Sequence, residues 1–250
     1  MAAGEARATS FGQVAESYDR VRPGPAEEAL DWLIPPNCET AIDLAAGTGL
    51  FTRALRRKVS RVIAVEPDDR MRAVLAARSP GVRVVEGRGE AIPVPDASAD
   101  GVFVSSAWHW LDRGQTVPEI ARVLRDGGRL GVIWTSRDRR ADWVAELDGL
   151  RRPDEDAGSR LRRRHELALP EGAPFKNLVG ESFTFTRTMT VDDAVDWLGT
   201  YSGVITASEG ERSAGLARAR EALLRRADGN GEIEFPMCSI CWRADRVHRG

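Results

Sequence analysis

Apolar residues along the chain fall into short unbroken runs that alternate with stretches of helical spacing. Phe11, Val14, Ala15 and Tyr18 recur at helical spacing, and Arg22-Pro23-Gly24-Pro25 ends that helix. A second helix is predicted over 26–33, closed by Pro35-Pro36. Strands are then predicted over 40–45, 61–65, 82–86, 101–105 and 129–134, with helices over 50–58, 68–78 and 113–124. Strands that alternate with amphipathic helices imply a mostly parallel sheet covered on both faces.

The alternation fails between Arg137 and Glu181, where charge, glycine and proline are frequent. Residues 137–181 therefore read as a substrate-capping insertion within one domain that spans 1–250. Strand spacing returns over 182–188 and 232–242, with helices over 191–198 and 208–226 and a turn at Asp228-Gly229-Asn230-Gly231 between them. Two late strands joined in this way fit an antiparallel edge on a parallel sheet.

Composition narrows the class of protein. The chain has 250 residues and 42% hydrophobic content, enough to bury the core of one α/β domain. A formal charge of -2 gives no footprint for nucleic acid or an anionic membrane. The basic stretch from Arg160 to His165 is interleaved with Asp154, Glu155, Asp156 and Glu166, which reads as a solvated helix face. Three cysteines argue against a disulfide scaffold, and no apolar stretch reaches the roughly 20 residues of a membrane span. With no signal peptide visible, the expectation is a cytoplasmic enzyme, monomer or homodimer.

The densest chemistry lies at Ile42-Asp43-Leu44-Ala45-Ala46-Gly47-Thr48-Gly49-Leu50-Phe51-Thr52, where a strand gives way to a helix. Glycines there let the backbone approach a ligand, and a helix start offers free N–H groups. A dinucleotide fingerprint needs a third glycine, and Thr52 stands in its place. Asp43 at the mouth would repel a pyrophosphate and could pair with an ammonium, which favours an amino-acid-bearing ligand over NAD. Glu66, ending the second strand, can accept hydrogen bonds from both hydroxyls of a ribose. Met71 either covers an adenine or belongs to the core. The segments around Gly89-Glu90-Ala91 and Ser105-Ser106-Ala107 end the next two strands on the same edge.

These segments, taken in order, resemble the successive motifs of class I S-adenosylmethionine-dependent methyltransferases. The likeness is carried by Asp43 to Thr52, Glu66-Pro67-Asp68, Gly89-Glu90-Ala91 and Asp100-Gly101-Val102-Phe103-Val104. Phe11, Ala15, Tyr18, Asp19, Arg22 and Pro23, the run Ala107 to Asp112, and Glu119 to Gly128 resemble its small-molecule branch, which includes ubiquinone/menaquinone-type and trans-aconitate-type enzymes. The resemblance implies a Rossmann-like three-layer sandwich, with a seven-stranded mostly parallel sheet and an antiparallel final hairpin. It implies S-adenosyl-L-methionine as cofactor. Asp43, Ala45, Gly47 and Thr48 would line its methionine part and Glu66 would hold the ribose. Pro67, Met71, Gly89, Glu90 and Ala91 would frame the adenine, and Ser105 and Ala107 would close the pocket beneath the sulfonium. Tyr18 and Arg22 would reach the cofactor from the amino-terminal helix, Arg22 as a partner for its carboxylate. The family usually has glycine where Ala45 stands.

Methyl transfer from a sulfonium is an in-line displacement, so positioning and water exclusion supply most of the rate. His109 is the candidate general base, with a structural role between Trp108 and Trp110 as the alternative. Trp108, Trp110, Trp143 and Tyr201, with Trp197, would make an aromatic pocket for a hydrophobic or aromatic acceptor. Cys238 and Cys241 are three apart on a predicted strand and so face opposite sides, and no metal site is expected. A non-catalytic S-adenosylmethionine-binding or partner-regulatory protein remains the rival reading.

Overall fold

A computed structural model of the chain describes residues 21–149, 167–205 and 207–247. Tyr18, the basic stretch 160–165 and the amino-terminal helix before residue 21 lie outside the described residues. The elements, in order, are α1 (Glu27–Leu33), β1 (Thr40–Leu44), α2 (Leu50–Arg56), β2 (Arg61–Val65), α3 (Asp69–Arg78), β3 (Arg83–Val85), β4 (Ala99–Ser105) and a 3-10 turn (Trp108–Trp110). There follow α4 (Arg113–Val123), β5 (Leu124–Arg137), α5 (Asp142–Gly149), β6 (Phe175–Thr190), α6 (Val191–Gly199), α7 (Ser202–Ile205), α8 (Glu209–Leu224) and β7 (Glu232–Arg246).

One seven-stranded sheet runs in the order β3-β2-β1-β4-β5-β7-β6. The first five strands are parallel, and β7 inserts antiparallel between β5 and β6. Alternate residues of each strand feed opposite layers. Ile42, Val65, Val102, Val104, Leu130 and Val132 pack with Val117, Ile120 and Val123 of α4 on one face. Ala41, Val62, Phe103 and Ile133 pack with Leu30 and Leu33 of α1 and Phe51 and Leu55 of α2 on the other. This is the expected three-layer sandwich with its antiparallel final pair.

A third apolar cluster stands beyond the carboxyl ends of the parallel strands. It joins Val144 and Leu147 of α5, Ala194 and Trp197 of α6, Leu223 of α8 and the strand ends Met189, Ile233, Phe235 and Met237. Two of the helices that carry it, α6 and α8, are capped by their own sequence. Thr190 accepts the backbone N–H of Asp193, and Ser208 and Glu211 form a reciprocal capping box.

Several boundaries differ from the sequence reading. β5 starts earlier and ends later than the predicted 129–134. β6 begins at Phe175, so 175–181 belongs to the sheet and not to the insertion. Residues 176–182 are exposed on both faces, so the alternation that marks a half-buried strand is missing from their sequence.

Gly131 of β5 shows how tightly the layers meet. A Cβ there would come 2.6 Å from a ring carbon of Phe103 and 2.8 Å from Cγ of Leu33. Gly131→Ala should therefore cost about 1–3 kcal/mol by overpacking. A urea unfolding curve should show a lower midpoint, and an unchanged midpoint would mean that α1 can shift away freely.

Candidate cofactor site

The strand order reverses between β1 and β4, so the crevice outside their carboxyl ends is the expected ligand position of an open α/β sheet. The turn after β1 is shaped by three left-handed residues, Ala45 at φ 57°, Gly47 at φ 57° and Gly49 at φ 83°. Gly49 must lack a side chain, because a Cβ would lie 2.8 Å from Leu75 Cγ on α3. Around a Cβ at Gly47 there is open space. The turn thus packs on one side and is open on the other.

Asp43 and Glu66 flank this turn. Asp43 is wholly buried, and its Oδ2 accepts the Thr52 hydroxyl at 2.5 Å. Its Oδ1 is buried with no hydrogen-bond partner from the protein. Glu66 is 7% exposed; Oε2 accepts the Gly47 N–H and Oε1 the Asp68 N–H, both at 2.9 Å. A carboxylate has about four lone-pair positions, so two remain for a ligand. Burial pushes the Asp43 carboxyl up to about 7, the Thr52 hydroxyl works against that shift, and the Glu66 charge adds to it. Burial likewise raises Glu66, against the pull of the Asp68 and Gly47 N–H groups.

Neighbouring loops are clamped. Arg72 donates to the carbonyls of Glu66 and Pro67 at 3.0 and 2.6 Å and to Glu86 at 3.1 Å, which ties the loop after β2 to the one after β3. Met71 is buried at the start of α3, where Asp68 accepts its N–H, while Pro67 is exposed. Gly89 is buried and lies so close to α4 that a Cβ would meet Thr116 Oγ1 at 2.6 Å. Glu90 beside it is half-buried and Ala91 exposed. Glu119 and Arg122 of α4 then hold Ile92 by its N–H and its carbonyl at 3.0 and 2.8 Å. Thr48, within the turn, is buried, and its carbonyl accepts Arg53. After β4, Ser106 adopts φ 57° and donates its N–H to Ile133. Ser105 and Ala107 on either side are half-buried.

The aromatic residues fall into two groups. Trp108 is buried in the core under the loop after β4, while His109 and Trp110 are exposed with ring centres 4.6 Å apart. Trp143 and Tyr201 belong to the cluster beyond the sheet, linked through Phe235 and Trp197 at centroid distances of 5.0 to 5.8 Å. Arg22 meets this second group. It donates from Nε to Thr200 Oγ1 at 3.0 Å and from Nη2 to the Thr200 carbonyl at 3.2 Å, and its guanidinium lies 4.9 Å from the Tyr201 ring centre. The sequence reading missed the bond from Thr52 to Asp43, because attention at Thr52 went to the missing glycine. It also missed Phe235 and Arg137, which carry no motif.

Comparison with known proteins accords with this geometry. Residues 42–132, from β1 into β5, match the model of a methyltransferase domain. The chain is 38% identical over 238 residues to an uncharacterized methyltransferase of Mycobacterium tuberculosis, covering 94% of this chain and 95% of the relative. It is 31% identical over 201 residues to a methyltransferase-like protein of Schizosaccharomyces pombe, covering 78% of each. A solved structure from Anaeromyxobacter dehalogenans, named a candidate type II methyltransferase, superposes with a TM-score of 0.70 at 26% identity, over 91% of this chain and 99% of that one. With this fold, this crevice and these relatives, the chain belongs to the class I S-adenosylmethionine-dependent methyltransferases. Among the described residues no helix is long and apolar enough to cross a membrane.

The Asp43 carboxyl gives a pH test. Its folded value lies above the ordinary 3.8, so the folded protein holds a proton that the unfolded chain releases. The stability this provides is complete below about pH 4 and is lost as pH rises through about 7. In the ligand-free protein, Asp43→Asn should flatten the fall of Tm across that window, because an amide does not titrate. Equal slopes in both proteins would show that Asp43 is ionised throughout.

Proposed function

We propose that the protein transfers a methyl group from S-adenosylmethionine to a small-molecule acceptor, with the cofactor held between Asp43 and Glu66. The observation that carries this reading is the buried Asp43 Oδ1 without a protein hydrogen bond, beside a Glu66 carboxylate with lone pairs to spare and an open face at Gly47. An orphaned buried carboxylate oxygen fits a ligand that brings a positive charge or a donor.

In this reading Asp43, Ala45, Gly47 and Thr48 line the methionine part, and Glu66 accepts the ribose hydroxyls. Pro67, Met71, Gly89, Glu90 and Ala91 frame the adenine, and Ser105 and Ala107 close the crevice beneath the sulfur. Tyr18 and Arg22 approach from the amino-terminal side. When bound, S-adenosylmethionine supplies a methyl carbon that an acceptor lone pair attacks in line, as the carbon–sulfur electron pair returns to sulfur. His109, on the turn after β4, receives the acceptor's proton where the acceptor carries one. Trp108 and Trp110 on that turn, Trp143 of α5 and Tyr201 after α6 shape the acceptor side. A cap between β5 and β6 is supported by the packing of α5 in one cluster with Trp197 and Phe235.

Calorimetric titration with S-adenosylmethionine, S-adenosylhomocysteine and NAD tests this reading. The first two should bind and NAD should not; binding of NAD alone would end it. Glu66→Ala should weaken S-adenosylhomocysteine by about 1–3 kcal/mol, with Glu66→Gln losing less, as expected when buried hydrogen bonds are lost. Undiminished affinity in the alanine variant would place the ribose elsewhere.

A further inference from the structure

The sheet ends at β6, which among the described residues has β7 as its one strand neighbour. From Val179 to Thr190 the pairing with β7 runs without a shift, and the irregularity between Lys176 and Val179 lies before that run. An edge strand presents a row of unpaired N–H and C=O groups to any chain that can align with it. Proteins blunt such edges with lysine, proline or a bulge, and the run from Val179 to Thr190 has none of the three. Its two charged residues, Glu181 and Arg187, are of opposite sign.

Side chains of this run divide between the two faces. Ser182, Thr184, Thr186 and Thr188 are exposed on one, and Phe183, Phe185 and Arg187 are half-buried on the other. Phe183 rests against Trp32 of α1, with ring centres 6.0 Å apart. Burial disfavours the charge of Arg187, and Asp193 on α6 works against that.

The run is complementary to itself. A two-fold axis perpendicular to the sheet through Thr184 pairs the strand antiparallel with its own copy and keeps every side chain on its face. In that register Phe183 faces the second copy's Phe185, Ser182 faces its Thr186, and Glu181 faces its Arg187. Each of these pairings occurs twice. Aromatic pairs, hydroxyl pairs and opposite charges are the cross-strand combinations that stabilise antiparallel sheets. An axis through Phe183 or Phe185 would instead set Arg187 against Val179 or Phe183 and leave Glu181 without a cation.

We propose that the protein is a homodimer in which the β6 edges of two copies pair antiparallel about Thr184, joining two seven-stranded sheets into one. The cofactor crevice between β1 and β4 lies inward of β5 and β7, so the association stands apart from the methyltransferase reading.

Sedimentation equilibrium of the full chain over a concentration series tests this. The species at high concentration should have twice the mass of one chain. Arg187→Glu sets like charges opposite each other twice and should weaken the dimer about tenfold or more. Glu181→Arg should do the same, and the double exchange should restore association, because the charges trade places. Thr184→Lys, an exposed position on the axis, should also dissociate the dimer. A cooperative thermal transition in each variant reports that it is folded. Amide exchange in the unmodified chain needs no substitution: protection over 181–187 should rise with protein concentration. A chain that stays monomeric throughout the series overturns the proposal, and would leave the edge bare or covered by its own residues. So does a dimer that Arg187→Glu or Thr184→Lys leaves intact, or a double exchange that fails to restore what the single ones lose.

Discussion

Two carboxylates stand at the ends of neighbouring parallel strands with one backbone turn between them. Asp43 is fully enclosed and Glu66 nearly so. Enclosing a carboxylate is unfavourable by several kcal/mol unless donors meet it, and the protein supplies them through Thr52, Gly47 and Asp68. The bond from Glu66 to the Gly47 N–H also fixes the path of the turn, because it joins the end of β2 to the loop leaving β1. Arg72 and Arg122 then fasten the loops on either side. The fold serves to hold these acids in place while keeping one oxygen of Asp43 available.

The parallel half of the sheet was legible in the sequence because its strands are enclosed on both faces. Residues of β1, β2 and β4 read as short, mostly apolar runs bounded by turns, and their boundaries came close. The outer half was less legible. β6 is the edge strand, and its first residues have no layer above or below, so no pattern of apolar positions betrays them. In the site, Asp43 and Glu66 could be found by their place after strands, since topology puts strand ends on one edge. Thr52 could not, because a threonine at the third position of a helix gives no sign that its hydroxyl faces an acid nine residues back. Arg137 was invisible for the opposite reason. Arginine at the end of a strand ordinarily reads as a solvated residue, and only packing against Tyr201 shows otherwise.

Ala45 is a local compromise. An alanine held at φ 57° bears a backbone cost on the order of 1–2 kcal/mol that glycine would avoid. Glycine would, in turn, enlarge the freedom of the unfolded chain. The turn keeps its shape because Ala46 donates its N–H to Val65 and Gly49 donates to Ala46, so neighbouring strands and helices over-determine it.

The interleaved order of β5, β7 and β6 also governs how the molecule comes together. β6 precedes β7 along the chain yet touches the sheet only through it. As the polypeptide leaves the ribosome, β6 has nothing to join until residues 232–246 emerge, and until then β5 presents a bare edge. Assembly of this half is therefore a late, long-range event, and the nascent chain depends on shielding of that edge while it waits.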